Sequence, residues 1–443
     1  MTEVSADGHA AANPVSFPEA LRLWWRIGLL SFGGPAGQIA LMHRLLVEEK
    51  RWIDEARFLH ALNYCMLLPG PEAQQLATYI GWLLHGVRGG LVAGLLFILP
   101  GALAIFALSF IYVLLGQVAV VEGLFFGLKA AVLALVLQAL LRLAQRTLHG
   151  ALALGTAAAS FLALVVLDAP FPLVVLSAAA LGLLTSGRWA PAAHGSETAV
   201  LPDPKRPGTL RAAVSCVLLW LGTVAGLLWL LGGGHVFTQI AVFFSQMALI
   251  SFGGAYAVLA WVAQQGVEGY GWLQPGEMLD GLGLAETTPG PLILVTQFVG
   301  FLAGLRGETG LPPLLAAALA GALTTWVTFL PSFVWIFAGA PYIERLRGQT
   351  RLASALSAIT AAVVGVIASL ALWFAFNSLF AERVRVEAGP IELLLPVASS
   401  LQPLAAAVAA IAVLLVFRMK LGVFPLLGFC AGLGILLRLL GWV

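Results

Sequence analysis

Long apolar segments alternate with short polar segments along almost the whole chain. Most of the apolar segments reach the length of about 20 residues that a helix needs to cross a membrane. Thirteen such segments are predicted, with approximate bounds 20–46, 56–84, 90–115, 119–141, 150–168, 170–187, 211–231, 239–264, 277–304, 312–339, 351–377, 397–417 and 421–440. The pattern therefore predicts an all-α polytopic membrane protein.

The two halves of the chain carry the same motifs at a shift of 220 positions. The matched pairs are Ser31-Phe32-Gly33-Gly34 with Ser251-Phe252-Gly253-Gly254, Trp52 with Trp272, and Pro69-Gly70-Pro71 with Pro289-Gly290-Pro291. A single segment, 211–231, separates six segments from six others. Because each half has six segments and one span connects them, the second half enters the membrane from the opposite side. The count therefore predicts two inverted-topology repeats, as in many secondary transporters.

The polar segment 187–208 is rich in Pro, Gly and charge, which is typical of an exposed linker. The predicted organisation is a disordered tail at 1–16, a first repeat at 17–187, a linker with the connecting helix at 188–238, and a second repeat at 239–443. The tail has no basic start followed by an apolar run, so no cleaved signal peptide is expected.

The stretch LLPGPEAQQLATYIG, residues 67–81, interrupts an apolar segment with helix-breaking and polar residues. Prolines around a glycine stop a helix and leave carbonyl groups unpaired. Inside a membrane such backbone is tolerated only where it is buried in protein or lines a watery cavity. Broken helices are therefore predicted at the SFGG and PGP motifs.

Two arrangements of these broken elements remain open, namely kinked full spans and re-entrant hairpins. With full spans, 14 Lys and Arg residues fall on the cytoplasmic side and 7 on the other side. With hairpins the count becomes 17 against 4. Because cytoplasmic loops are enriched in Lys and Arg, the count favours hairpins. A cysteine at position 52 is then expected to react from the cytoplasmic side alone.

Composition agrees with a membrane protein and excludes several other classes. Hydrophobic residues make up 60% of the chain, charged residues 10%, and the mean hydropathy is +0.97. A net charge of +2 without a basic tract argues against nucleic acid as a partner. The three scattered cysteines predict neither disulfides nor a metal site, and no cofactor is expected. The motifs of a membrane-embedded lipid-phosphate enzyme, the rival class, are missing from the sequence.

The motif regions resemble the chromate ion transporter (CHR) family in its long-chain, two-domain form. The resemblance rests on SFGGPAGQIALMH and LNYCMLLPGPEAQQLATYIGW in the first half, and on SFGGAYAVLAWV and ETTPGPLILVTQFVGF in the second, and it covers residues 17 to about 440. It implies a multi-pass exporter of chromate in the cytoplasmic (inner) membrane that confers chromate resistance. Sulfate or another oxyanion as substrate, and a passive channel, are the alternatives.

The broken helices suit an oxyanion, because a helix start offers unpaired N–H groups and a positive dipole end. The amides of residues 72–74 and 292–294 are the expected donors. The candidate substrate-binding residues are Gly33, Gly34, Gly70, Glu72, Gln74, Gln75, Lys129, Gly253, Gly254, Thr288 and Gly290. The alternative is that the glycines only allow close helix packing and that the amide side chains join helices.

Lys129 lies eleven positions into an apolar stretch, where a charge is costly unless it meets a partner or a cavity. It is a candidate counter-charge for the anion, and an ion pair with Glu72 or Glu122 is the alternative. Glu72 would repel chromate unless it is protonated or paired, so it is a candidate proton carrier, with a salt bridge as the alternative. Glu286, which precedes the second PGP motif, is a weaker candidate proton carrier.

The energy source is also open from the sequence. Moving two negative charges outward gains about 4.6 kcal/mol per 100 mV, roughly a thousandfold gradient, so the membrane potential alone could drive export. Proton antiport rests on Glu72 and on the family resemblance. In the second half, Leu292 and Ala255 occupy the positions that correspond to Glu72 and Pro35. This difference predicts unequal chemistry in the two halves. Small-residue runs at 311–323 and 405–413 leave room for a homodimer interface.

Overall fold

The computed structural model describes residues 15–189, 208–252, 255–339, 350–388 and 391–443. Within these residues the chain is mostly helical, which confirms the predicted all-α polytopic membrane protein. Five helices are long and apolar enough to cross a membrane, namely Glu72–Leu115, Ala119–Thr147, Thr209–Leu231, Pro313–Gly339 and Thr350–Leu379. Residues 1–14 of the predicted tail, most of the linker and the site candidates Gly253 and Gly254 lie outside the described residues.

Seven helices form the first half and one helix connects it to the second. They are α1 Phe17–Leu30, α2 Gly34–His43, α3 Glu55–Cys65, α4 Glu72–Leu115, α5 Ala119–Thr147, α6 Ala151–Val166, α7 Phe171–Leu184 and the connecting α8 Thr209–Leu231. Local chemistry sets several of the starts. Asp54, for example, caps α3 by accepting a hydrogen bond from the amide of Arg57 at 2.8 Å.

The second half begins in the same way as the first. Its elements are α9 Val236–Ile250, α10 Ala255–Gln264, α11 Glu277–Thr287, α12 Val295–Arg306, α13 Pro313–Gly339, α14 Thr350–Leu379, β1 Arg383–Ala388, β2 Ile391–Pro396, α15 Pro403–Phe417 and α16 Val423–Leu439. Both α2 and α10 run on into a π-helical segment, Arg44–Glu49 and Gln265–Gly269 respectively. The match between the halves thus extends to local helix geometry.

The apolar segments that were predicted as single elements around the motifs are each two helices. Segment 20–46 breaks between α1 and α2, where Gly33 and Gly34 adopt φ angles of +84° and +72°. Segment 56–84 breaks between α3 and α4, where Gly70 has a φ of +124°. Residues with a side chain rarely adopt such angles, so glycine is what allows these breaks.

Helix α4 is two antiparallel arms joined by a sharp turn. His85 and Gly86 leave the helical region, Gly86 with a φ of 64°. A Cβ placed on Gly81 would lie 2.5 Å from the carbonyl oxygen of Gly89, so the two arms are in backbone contact. The short arm, residues 72–84, is about 20 Å long and the long arm, residues 87–115, about 44 Å. The short arm cannot cross the roughly 30 Å hydrocarbon layer by itself.

In two of the helix pairs around the motifs, the end of the second helix lies beside the start of the first helix. The Nζ of Lys50, which follows α2 and its π-helical segment, lies 2.9 Å from Glu19 Oε1 near the start of α1. Glu277 at the start of α11 forms an ion pair with Arg306 at the end of α12, at 2.6 Å. These contacts favour the hairpin arrangement over kinked full spans. The side of the membrane that each hairpin faces stays a prediction.

The antiparallel pair β1–β2 was not predicted and corrects a purely helical picture of the second half. Arg383 lies opposite Pro396 and Val386 opposite Leu393 in its register. The sequence RVRVEA alternates apolar and charged residues, which is the period of a strand. Each strand has six residues, so its alternating pattern is short beside the long apolar segments of the neighbouring helices.

The small-residue run at 311–323 serves packing inside the chain. A Cβ on Gly304 would lie 2.4 Å from the Cβ of Ala320, and Ala316 and Ala317 are also buried. Small residues let the backbones of α12 and α13 approach closely, as is common in membranes. Small residues of this run therefore pack against another helix of the same chain. A homodimer remains an untested expectation.

Candidate functional site

The SFGG break of each half is hydrogen-bonded to the PGP break of the other half. The amide of Gly70 donates to the carbonyl of Ser251 at 2.9 Å, and the amide of Gly290 donates to the carbonyl of Ser31 at 2.8 Å. Ser31 and Ser251 end α1 and α9, so their carbonyl groups have no continuing helix to bond to. We call residues 31–34, 69–71, 251–252 and 289–291 the motif junction.

Gln38 on α2 also joins the halves, and the sequence analysis did not single it out. Its side chain is 1% exposed, and Nε2 donates to the carbonyl of Gly290 at 2.7 Å and to that of Ser31 at 3.2 Å. Its Oε1 is buried without a hydrogen-bond partner among the described residues. The available signal was a glutamine within an otherwise apolar helix, because buried polar residues in membranes are costly.

A small cavity lies within the motif junction, between the two helix starts that follow Pro71 and Pro291. Its volume is about 30 Å³, enough for about two water molecules. The described residues that line it are Pro35, Gln38, Gly70, Pro71, Glu72, Ala73, Ser251, Ala255, Pro291, Leu292 and Ile293. Both halves therefore contribute to one cavity.

The two helix starts differ in how many backbone donors they leave unpaired. In α4 the first helical bond is from the Gln75 amide to the Pro71 carbonyl at 3.0 Å, so the amides of residues 72–74 have no helical acceptor, as predicted. In the second half a 3₁₀ turn, Leu292–Leu294, precedes α12, and the Leu294 amide donates to Pro291 at 2.9 Å. The expected Leu294 donor is therefore used, which leaves the amides of Leu292 and Ile293.

Glu72 is the one ionisable residue among the described residues that line the cavity. Its carboxylate forms no hydrogen bond or ion pair within the described part of the chain, so the salt bridge considered from the sequence is not made there. The Cys65 thiol on α3 is within electrostatic range of it. A carboxyl group at a helix start, facing a small cavity without a partner, is available to a ligand or a proton.

Gln74 and Gln75 are fully buried behind the cavity and do not line it. Gln74 Nε2 donates to the hydroxyl of Thr78 at 3.0 Å, and Gln75 Nε2 donates to the carbonyl of Pro69 at 2.7 Å. The amide oxygens of both side chains lack a partner in the described structure. Gln75 therefore supports the PGP break directly, whereas Gln74 is bonded within α4.

The second-half candidates Thr288 and Glu286 have partners of their own. The Thr288 hydroxyl donates to the carbonyl of Ala285 at 3.2 Å, and Glu286 accepts a hydrogen bond from Tyr256. Neither lines the cavity. A Cβ added to Gly33 or Gly34 would have no atom within 4 Å. Their positive φ angles explain these two glycines, and close helix packing does not.

Lys129 lies outside the motif junction and pairs with a residue that was not foreseen. Its Nζ is 3.4 Å from Asp280 Oδ2, which also accepts a hydrogen bond from Tyr112 at 3.0 Å. Glu122 pairs instead with Arg438. The ion pairs of Lys129 with Glu72 or Glu122, considered from the sequence, are therefore wrong.

Lys129 borders a second, larger cavity, which we call the charged vestibule. It has a volume of about 580 Å³ and lies among the ends of α4, α5, α11 and α12. Its charged lining residues in the described structure are Glu122, Lys129, Glu277, Asp280 and Arg306. The described residues contain no group of three or more His, Cys, Asp or Glu that could hold a metal ion.

Comparison with known proteins places the chain in a transporter family. The model of the "Chromate transporter" family matches residues 19–183 and 238–435. A chromate transport protein of Pseudomonas aeruginosa is 33% identical over 388 residues, 86% of this chain and 85% of the relative. A chromate transport protein of Cupriavidus metallidurans is 29% identical over 355 residues, 80% of this chain and 81% of the relative. No solved structure matches.

Proposed function

Because this chain belongs to the chromate transporter family, we propose that it transports chromate, a tetrahedral oxyanion, across the cytoplasmic membrane. The observation that carries the proposal is the motif junction, where helix starts from both halves face one cavity. Unpaired amides and the positive ends of two helix dipoles form a site for an anion without a metal ion.

The reciprocal bonds of the motif junction suggest how the site could be exposed to the two sides in turn. Each PGP break is bonded to the SFGG break of the other half, so a movement of one half relative to the other changes both sides of the cavity together. Rocking of inverted repeats about a central site is the usual plan of secondary transporters. In the structure the cavity is too small for passage, which fits a closed state better than an open channel.

The inverted orientation of the halves leads to a topology prediction. Lys50→Cys and Tyr270→Cys replace exposed residues at equivalent positions of the two halves, and the three native cysteines are buried. We expect a membrane-impermeant thiol reagent to label position 50 only from the cytoplasmic side and position 270 only from the opposite side. Labelling of both positions from one side would contradict the inversion.

We propose that the direction of transport is export and that the membrane potential is sufficient to drive it. Each negative charge that moves outward gains about 2.3 kcal/mol per 100 mV, about a 50-fold gradient. Proton antiport is the second candidate, and the unpaired Glu72 carboxylate favours it. Sulfate remains the alternative substrate, since it has the same shape and charge.

The direct test is uptake of labelled chromate into inverted membrane vesicles that contain the protein. We expect saturable uptake that increases with an imposed potential, and exchange of internal unlabelled for external labelled chromate. Vesicles without the protein are the control. Uptake equal to that control would contradict the proposed substrate, and uptake that neither saturates nor exchanges would indicate a channel.

A further inference from the structure

A third cavity shares no lining residue with the cavity of the motif junction or with the charged vestibule. It has a volume of about 270 Å³ and lies among α6, α7, α10, α14 and the start of β1. Sites for small ligands begin at roughly 300 Å³, so the cavity is close to the smallest of them in size. We call it the lateral pocket.

The wall of the lateral pocket is apolar, and the helices beside it face lipid. The wall includes Leu164, Val165, Phe171, Trp261, Val366 and Leu370. Three leucines on and between α6 and α7 are exposed, namely Leu162, Leu167 and Leu173. In a protein with membrane-spanning helices, exposed leucines of this kind contact lipid tails, which are as apolar as leucine itself. Lipid is therefore the nearest source of an apolar ligand for this pocket.

Three charged residues form the rim of the lateral pocket, and each lies just beyond the end of a helix. Asp168 follows α6, Glu268 lies in the π-helical segment after α10, and Arg383 follows α14. They are the only charged residues that line the pocket in the described structure. Because the ends of spanning helices lie at the membrane surface, the rim is at the level of the phospholipid headgroups.

The rim residues keep free hydrogen-bonding groups. Asp168 Oδ1 accepts from Gln264 Nε2 at 2.7 Å, and Glu268 Oε1 accepts from Trp373 Nε1 at 3.3 Å. The second oxygen of each carboxylate and the Arg383 guanidinium make no hydrogen bond or ion pair with any described residue. Gln264 and Glu268 are four residues apart, so the two carboxylates lie about one helical turn apart. One cation can therefore reach both.

We propose that the lateral pocket binds a phospholipid with a primary-amine headgroup. The ammonium group donates to the free oxygens of Asp168 and Glu268, the phosphate accepts from Arg383, and an acyl chain lies along the apolar wall. A headgroup with only negative charge could reach the guanidinium, but it would leave both carboxylates without a donor and would be repelled by them. The mixed charge of the rim thus matches a zwitterion.

The aromatic residues of the lateral pocket do not favour a quaternary ammonium headgroup. Such a group has no N–H to donate and is recognised by open aromatic faces. Trp261 already packs against Phe171 and Phe243, with ring centroids 5.9 Å and 4.7 Å apart. Trp373 is oriented by its hydrogen bond to Glu268. The free carboxylate oxygens are therefore the recognition groups, and they require an N–H donor.

The test is lipid binding to the full-length protein in detergent, measured by native mass spectrometry. The probes are four phospholipids with the same acyl chains, whose headgroup amine carries zero, one, two or three methyl groups. The series removes one N–H at each step and keeps the positive charge. We expect the primary amine to bind at least about tenfold more tightly than the quaternary one, since a charge-assisted hydrogen bond is lost.

The double variant Asp168→Asn with Glu268→Gln tests the carboxylates. Each new side chain keeps an amide oxygen that can still accept from Gln264 or Trp373, so the local structure should be retained. The negative charges are lost, and we expect all four lipids to bind about equally. If this variant does not fold, the wild-type series still decides.

Arg383→Gln tests the phosphate contact separately. We expect weaker binding of all four lipids by a similar factor, with the preference for the primary amine unchanged, because the phosphate is common to the series. The matched controls are Glu308→Gln and Arg418→Gln, which change exposed residues outside the lateral pocket. Both controls should bind the lipids as the wild type does.

Three results would overturn the proposal. Equal binding of the four lipids by the wild type would mean that the headgroup amine is not recognised. Tighter binding of the quaternary amine would assign recognition to the aromatic side chains. A phosphoglycerol lipid with the same chains that binds as tightly as the primary amine would reduce the rim to a phosphate contact at Arg383. None of these measurements depends on the transported anion.

Discussion

Gly70→Ala is expected to reduce chromate transport about 100-fold, because it displaces the centre of the motif junction. Gly70 has a φ of +124°, and its amide holds Ser251 of the other half. An added Cβ would lie 2.7 Å from Gln75 Nε2 and 2.8 Å from Ser332 Oγ. The strained backbone alone costs about 1–3 kcal/mol. The measurement is the initial rate of chromate uptake at equal protein content.

Gly150→Ala is the matched control for this prediction. Gly150 also has a positive φ, +90°, but no atom lies within 4 Å of an added Cβ. The backbone strain is therefore similar, while the motif junction is untouched. We expect uptake within about twofold of the wild type, since surface changes of this kind usually cost little. Equal losses in both variants would attribute the effect to backbone strain in general.

Lys129→Ala is expected to lower chromate transport by about tenfold or more. The change removes a cation from the charged vestibule and leaves Asp280, 3% exposed, with Tyr112 as its remaining hydrogen-bond partner. Removal of one partner from a buried ion pair is costly because the other charge stays buried. A cavity with fewer cations also attracts anions less. Initial uptake rate and thermal stability are measured together.

The double variant Lys129→Ala with Asp280→Asn separates these two causes. We expect thermal stability to recover, since no unpaired charge is left, while transport stays low because the cation is still missing. Lys420→Ala, at an exposed lysine, is the control for the loss of a positive charge elsewhere. Full recovery of transport in the double variant would make Lys129 a purely structural partner of Asp280.

Two of the differences between the halves lie in the same cavity. Glu72 and its counterpart Leu292 both line it, as do Pro35 and its counterpart Ala255. A symmetric pair of carboxylates there would double the negative charge facing an anion. One ionisable and one apolar residue instead give a site with a single acceptor charge. The two replacements on which the predicted unequal chemistry rests therefore lie in one shared cavity.

Much of the fold could be predicted from the sequence because its causes are local. A long apolar run cannot avoid forming a helix in a membrane, since its backbone groups have no water to bond. Proline and glycine end those helices wherever they occur, so the breaks at Gly33 and Gly70 follow from the motifs themselves. The strands of β1–β2 were missed because their alternating pattern is short and lies between long helices.

Only the tertiary structure decided which residues pair with each other across the chain. The bond from Gly70 to Ser251, the bridge of Gln38 to Gly290 and the pair of Lys129 with Asp280 each join distant parts of the chain. Sequence spacing sets such contacts only within one helix. The sequence by itself determined where the helices break inside the membrane, and therefore where most backbone groups lose a helical partner. Which of them meet depended on the packing of whole helices, because every helix face and every turn along the way contributes to the final position.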